Sequence, residues 1–305
     1  MKNALWIFAV LALTFAGDRL VGFFLQKQAA KSQFRYARLY DNRAEADILL
    51  VGNSRGLIFY QPYIEEVTRD ETFNLSYNGM PIDLANILVQ DYFDLYPAPR
   101  KMVVDVTMCD RLNDQLVGGF KMYAPYSERL SALLHEKSKN TYYGAKLSHL
   151  FRYNSEIFQR NLFYQNKSDE DWLLDRVISD NMVKNSDTLS GYKIDFYPGK
   201  KDENGVKKDS LYALNQLTDM VNYAQSKGTK VELVINPYFP AFARQIKNKS
   251  DLISAVEKNT GLTVNDYSLA VSGTAGFGDY QHLNKAGARE FIDKMLADNV
   301  LTGRK

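Results

Sequence analysis

The sequence predicts an α/β protein. The expected fold is a three-layer α/β/α domain on a parallel sheet of about five strands, with a large insertion after the third strand and a transmembrane helix at the N-terminus. Three observations predict it. Strand-like apolar runs alternate with amphipathic helical stretches on either side of a long irregular segment, at a spacing that suits a parallel sheet covered on both faces. The run Asp47-Ile48-Leu49-Leu50-Val51 goes straight into Gly52-Asn53-Ser54-Arg55-Gly56, which is how a buried parallel strand ends and turns. Residues 4–25 are mostly apolar over about the length that crosses a bilayer.

The bulk properties set bounds. With 305 residues there is enough chain for one large domain or two small ones with ample core. A net charge of +2 argues against a nucleic-acid partner. One cysteine excludes an internal disulfide and a cysteine-rich metal site, and three histidines without ligand spacing argue against structural zinc.

In chain order, the N-terminal segment comes first. Asp18 and Arg19 interrupt its apolar run, and a charge in lipid is costly unless it pairs or lies near the interface. An uncleaved signal anchor over 1–26 is expected, because Leu20 to Leu25 continue the run. The alternatives are a cleaved signal peptide, with Lys2 as its basic end and Thr14-Phe15-Ala16 as the cut site, and a first helix packed in a soluble core. Residues 27–46 read as a helical or extended linker whose basic residues could lie on anionic headgroups, leading to a domain over 47–305. Lys27, Lys31, Arg35, Arg38 and Arg43 follow the segment and only Lys2 and the amino terminus precede it. A positive-inside count therefore leaves the domain in the cytoplasm.

The first strand is 47–51. Residues 57–69 should be helical, broken or restarted at Pro62. The second strand, Thr72 to Leu75, runs into Ser76-Tyr77-Asn78-Gly79. Pro81 then opens a helix to about Tyr96 with Ile82, Ala85, Leu88, Val89 and Phe93 on one face, closed by Pro97 and Pro99. The third strand is Lys101 to Val106. From 111 to about 208 the alternation dissolves, and an insertion of that length reads as a lid or cap, with a helix around Glu170 to Val183 and a polar turn at 199–205. Its aromatics Tyr123, Tyr126, Tyr142, Tyr143, Phe151 and Tyr153 either line a saccharide site or pack the insertion. Alternation returns with a helix from Ser210 to Gln225 stopped by Gly228, a fourth strand from Lys230 to Ile235, a helix from Ser250 to Asn259 and a last strand over Gly261 to Tyr267. An amphipathic helix through Leu296 ends the pattern.

Two stretches carry chemistry. Ser54 stands at the C-terminal edge of the first strand, where open α/β sheets bind ligands, although a helix cap uses the same residue type. Asp279 and His282 are three apart, so on a helical turn they share a face and the carboxylate can orient the imidazole. That pair supplies the base a serine nucleophile needs. Gly52-Asn53-Ser54-Arg55-Gly56 also fits the nucleophile elbow of α/β-hydrolases. That fold has several strands before its serine, whereas here a membrane segment and a linker fill the space, so the match reads as coincidence. His135 and His149 lack a patterned carboxylate and read as structural. Arg55, Asp105 and Asp110 are candidates for holding substrate, with capping and loop solvation as the other roles of the two aspartates.

Taken together, these stretches resemble the SGNH (GDSL-like) hydrolase superfamily. Gly52-Asn53-Ser54-Arg55 matches its first block, Phe73-Asn74-Leu75-Ser76-Tyr77-Asn78-Gly79 its second, and Asp279 to His282 its fifth. The third block departs: Thr107-Met108-Cys109-Asp110 puts Cys109 where the family has an asparagine, and a thiol is a weak donor. The resemblance implies a flavodoxin-like strand order and a triad of Ser54 as nucleophile, His282 as general base and Asp279 as its orienting carboxylate. The oxyanion would be held by the backbone N–H groups of Ser54 and Gly79, with Asn78 or Asn236 as a third donor. No cofactor or metal is implied.

Anchored members of the family face away from the cytoplasm, in contrast to the charge count, and an extracytoplasmic domain on a single-pass helix in the inner membrane is the expectation carried forward. The implied function is serine-dependent ester hydrolysis or O-acyl transfer, of the O-acetyl type, on a cell-envelope polysaccharide, often beside a membrane-bound O-acyltransferase. A non-catalytic partner or polysaccharide-binding protein and a lipase or lysophospholipase are the alternatives.

Overall fold

A computed structural model describes residues 2–110, 112–168, 172–186, 194 and 211–301. The chain divides into two compact units, Met1–Arg43 with Asp114–Asp169, and Ala44–Asn113 with Glu170–Lys305.

The second unit carries the sheet. Its strands are β1 (Ile48–Val51), β2 (Thr72–Asn74), β3 (Lys101–Asp105), β4 (Lys230–Ile235) and β5 (Val264–Asp266), all parallel in the order β2-β1-β3-β4-β5. This is the flavodoxin-like order expected. Every residue of β1 and β3 is buried, and the apolar runs Ile48–Val51 and Met102–Val104 are what central strands covered on both faces require. The helices Ile82–Leu95 and Tyr212–Ser226 pack on one another, and the second also packs on Lys249–Thr260. Phe291 of the closing helix Lys285–Ala297 stacks on Phe59 and meets Tyr267 edge-on. Because β2 and β3 flank β1, the chain leaves β1 in one direction and later returns on its other side. A crevice at the C-terminal ends of β1 and β3 follows from that reversal.

Several local expectations meet their physical cause here. Pro62 restarts the chain: a 3-10 turn over Ser54–Ile58 gives way to an α-helix over Gln61–Thr68 with the proline in its first turn. Gly228 adopts φ +86°, which suits the left-handed stop after the Tyr212–Ser226 helix. The single helix expected around Glu170 to Val183 is instead two short pieces, Trp172–Asp175 and Asp180–Lys184. Between them the Ile178 N–H donates to the Phe277 carbonyl at 2.8 Å, and Ser179 caps the second piece through its hydroxyl. The polar turn expected at 199–205 lies outside the described residues.

The first unit is helical. Its N-terminal helix runs from Lys2 to Ala30, continuing past the expected anchor boundary, and a short helix follows at Arg35–Tyr40. Residues 5–30 are long and apolar enough to cross a membrane, with a mean hydropathy of 1.7. The rest of the unit comprises helices at Asp114–Gly119, Glu128–Lys137, Lys139–Leu147 and Glu156–Phe163, joined by 3-10 turns. Its core is aromatic: Tyr36 meets Phe120 edge-on at 4.7 Å, and Phe34 stacks on Tyr164. Of the aromatics the sequence left between two roles, Tyr123 is buried in this core, whereas Tyr126 and Tyr143 are exposed.

Candidate active site

Ser54 follows β1 by three residues and opens the 3-10 turn. The turn forms because the Asn53 side chain accepts the Arg55 N–H at 2.9 Å, a cap that frees the serine side chain for other work. Gly52 and Gly56 are needed for close approach. A Cβ on Gly52 would lie 2.9 Å from the Gly56 Cα, and one on Gly56 would collide with Ser76 Oγ. The turn is thus tight enough to leave the Ser54 hydroxyl at the end of the strand.

His282 reaches it from the far end of the chain. Its Nε2 lies 2.9 Å from Ser54 Oγ, and its Nδ1 lies 2.8 Å from Asp279 Oδ1. The Asp279–His282 segment is not the helical turn expected. It is an irregular loop pinched by an antiparallel bridge between Phe277 and Leu283, and the Asp279 carboxylate also accepts the backbone N–H groups of Gln281 and His282 at 2.8 and 2.9 Å. The three-residue spacing therefore works through a side-chain-to-backbone turn. Burial pushes the Asp279 carboxyl up, but the hydrogen bond and charge of His282 and the two N–H donors outweigh it and hold the carboxyl below its ordinary value.

The other expected site residues fall into different surroundings. Gly79 occupies a tight turn closed by the Met80 N–H on the Tyr77 carbonyl, at φ +68°, and Asn78 beside it is exposed. Asn236 is fully buried with its amide donating to the Arg55 carbonyl and to Asp105 Oδ2, which removes it as a donor to an oxyanion. Asp105 is likewise fully buried and cannot reach a substrate hydroxyl. It caps the Thr107 N–H and lies 3.6 Å from the Arg55 guanidinium, and burial raises its carboxyl against the opposing charge of Arg55. Arg55 is also a structural cation rather than a substrate ligand. It bonds Thr107 Oγ1, the Gln281 carbonyl and the Asn236 carbonyl, with its guanidinium 3.3 Å from the Tyr238 ring centroid. Asp110 is partly exposed at the end of the 3-10 turn Val106–Asp110. Cys109 is buried, its thiol pushed up by burial and by the nearby carboxylates, and packs toward the Ala213 carbonyl.

Two residues enter that the sequence reading did not single out. Asn113 donates from Nδ2 to the Gly79 carbonyl at 3.0 Å, standing four residues past Cys109. Arg176 lies 3.6 Å from Asp279 Oδ2, and a Cβ on Gly278 would meet its Cβ at 2.8 Å. Neither belongs to a recognisable spacing pattern. Among the described residues no group of three or more His, Cys, Asp or Glu is placed to hold a metal ion.

No protein-family model matches the chain, and no curated protein matches it. A solved structure from Bacteroides fragilis, provisionally described as an acylhydrolase, overlaps 85% of this chain and 89% of its own at 12% identity, with a TM-score of 0.37. At that level of likeness nothing about activity transfers to this chain.

Proposed function

We propose that the protein is an SGNH-type serine esterase or O-acyltransferase acting outside the cytoplasm on O-acetyl-type esters of an envelope polysaccharide. The observation that carries this reading is the continuous run of hydrogen bonds from Asp279 through His282 to Ser54. In the reaction, Ser54 Oγ attacks the ester carbonyl as His282 Nε2 takes its proton, and Asp279 holds the other ring nitrogen and stabilises the imidazolium. His282 then returns the proton to the leaving alcohol. Water or a sugar hydroxyl resolves the acyl-serine, giving hydrolysis or transfer. The backbone N–H groups of Ser54 and Gly79 are the expected oxyanion donors, with Asn113 as the amide beside Gly79.

A polysaccharide substrate is supported by a groove of about 410 Å³ in the helical unit. Tyr126 and Tyr142 line it together with His135, Ser131 and Glu128, a mixture of aromatic and hydrogen-bonding residues suited to a sugar.

The test uses the full-length chain in detergent. Wild type should release p-nitrophenol from p-nitrophenyl acetate and take a fluorophosphonate label, and Ser54→Ala and His282→Ala should lose both. A wild-type chain that neither turns over nor takes the label would mark a non-catalytic binding protein.

A further inference from the structure

The charges that interrupt the N-terminal apolar run have a partner in the same unit. Asp18 pairs with Arg19 at 2.7 Å and accepts the Ser148 hydroxyl and the backbone N–H groups of His149 and Leu150, while Arg19 donates to the Leu147 carbonyl at 3.2 Å. The Ser148 N–H goes to the Gly144 carbonyl and the Phe151 N–H to Ser148 Oγ. The break at 148–149, between the helix Lys139–Leu147 and the 3-10 turn Leu150–Tyr153, is thus docked on the N-terminal helix with these polar groups satisfied from within the protein. Gly22 permits the approach, since any Cβ there would collide with His149 Cβ. What the turn turns outward is apolar: Leu147 is 80% exposed and Leu150 40%.

Length decides what covers it. The wholly bare stretch of the helix, 5–16, is only about 18 Å long at about 1.5 Å per residue. A hydrocarbon core of about 30 Å takes about 20 residues, which carries the embedded part on to about Phe24. Leu20, Val21, Phe23 and Phe24 are exposed there, as lipid contact requires. That level includes Asp18 and Gly22, and so includes the docked turn. Backbone outside a helix is tolerated at membrane depth only when its polar groups are satisfied by protein, which is the condition met here. In the same unit Lys27 sits over the exposed ring of Phe23 and Lys167 over that of Phe163, an arrangement suited to a lysine reaching anionic headgroups above an apolar ring.

We propose that the Leu147–Leu150 turn is a membrane-dipping element, held in the acyl region of the leaflet on the domain's side by its Asp18–Arg19 dock. The proposal rests on the reading of residues 5–30 as membrane-spanning, and its test separates the two. Single cysteines replacing Leu147, Leu11 and, as a control on the sheet-bearing unit, Gln225 are labelled with an environment-sensitive fluorophore in the full-length chain; the native Cys109 is buried. The protein is reconstituted in phosphatidylethanolamine–phosphatidylglycerol vesicles. Labels at 147 and 11 are expected to be quenched by brominated acyl chains and protected from aqueous iodide, with the reverse at 225. Iodide quenching at 147 with lipid quenching at 11 would overturn the proposal and leave the helix spanning. Iodide quenching at both would overturn the proposal together with the membrane-spanning reading. Protection at 147 from both quenchers would mean that a second copy covers the turn, and would overturn it too.

Discussion

Arg55 Nη1 donates to the main-chain carbonyl of Gln281 at 3.0 Å, so the residue after Ser54 holds the residue before His282. The two turns come from opposite ends of the chain, and this buried guanidinium is one of the bonds that closes them on each other. Replacing Arg55 by Met leaves the Asp105 carboxylate buried without its cation, a loss of about 3–5 kcal/mol for a broken buried pair. Thermal denaturation of Arg55→Met should show that drop. The double variant Arg55→Met with Asp105→Asn should recover much of the stability but not the fluorophosphonate labelling rate, because the Gln281 carbonyl stays unheld. Equal recovery of both would reduce Arg55 to a packing role.

Asp279 gives a pH signature. Its carboxyl is held below the ordinary 3.8, so the folded state keeps a charge that the unfolded chain surrenders first on acidification. Its contribution to stability is complete above about pH 5 and disappears as pH falls through the depressed value. Melting curves of wild type and Asp279→Asn should therefore differ at neutral pH and converge as pH falls through the depressed carboxyl value. At neutral pH the variant should also turn over roughly 10⁴-fold more slowly, because an amide no longer fixes the imidazole tautomer.

How much of this was legible in the sequence depended on whether the signal was local. Ile48 to Val51 announced a central strand because burial on both faces leaves no polar positions, and Asp279 with His282 announced a carboxylate–imidazole pair because their spacing is short. The flavodoxin-like order followed from the family resemblance. What the sequence could not carry was contact across long separations. Arg55, Asp105 and Asn236 look like site polar groups near strand ends, but the Asp105 carboxylate lies in the interior between the Arg55 guanidinium and the Asn236 amide. Arg176 and Asn113 reach Asp279 and Gly79 from positions that no periodicity marks. The helical turn expected at Asp279 failed for a related reason: the Phe277–Leu283 bridge sets that loop, and bridges are not written in spacing.

Gly56 offers a test of the tight turn itself. The position has no left-handed backbone, so the demand on it is space alone: a Cβ would run into the Ser76 side chain. Gly56→Ala should therefore push the turn off Ser76 and move Ser54 Oγ out of reach of His282. The expected result is a fold that melts lower by about 1–3 kcal/mol, as overpacking costs, with labelling at Ser54 slowed far more than stability alone explains. Gly56→Ala combined with Ser76→Gly should restore labelling if the clash is the cause.

The third oxyanion donor separates Asn113 from Asn78. Asn113 is fixed by its bond to the Gly79 carbonyl, whereas Asn78 is exposed on the same turn. An amide stabilises a developing charge only if it is already oriented, since reorganisation during the reaction would cancel the gain. Asn113→Ala should then lower kcat by about 10²-fold or more with little change in KM, the range seen on losing one such donor. Asn78→Ala should leave both within about twofold, as expected of a side chain that makes no transition-state bond. Asn113→Asp keeps the shape but replaces the donor with an acceptor, and should be at least as slow as the alanine variant. Retention of activity in both Asn113 variants would leave the backbone N–H groups of Ser54 and Gly79 as the whole oxyanion site.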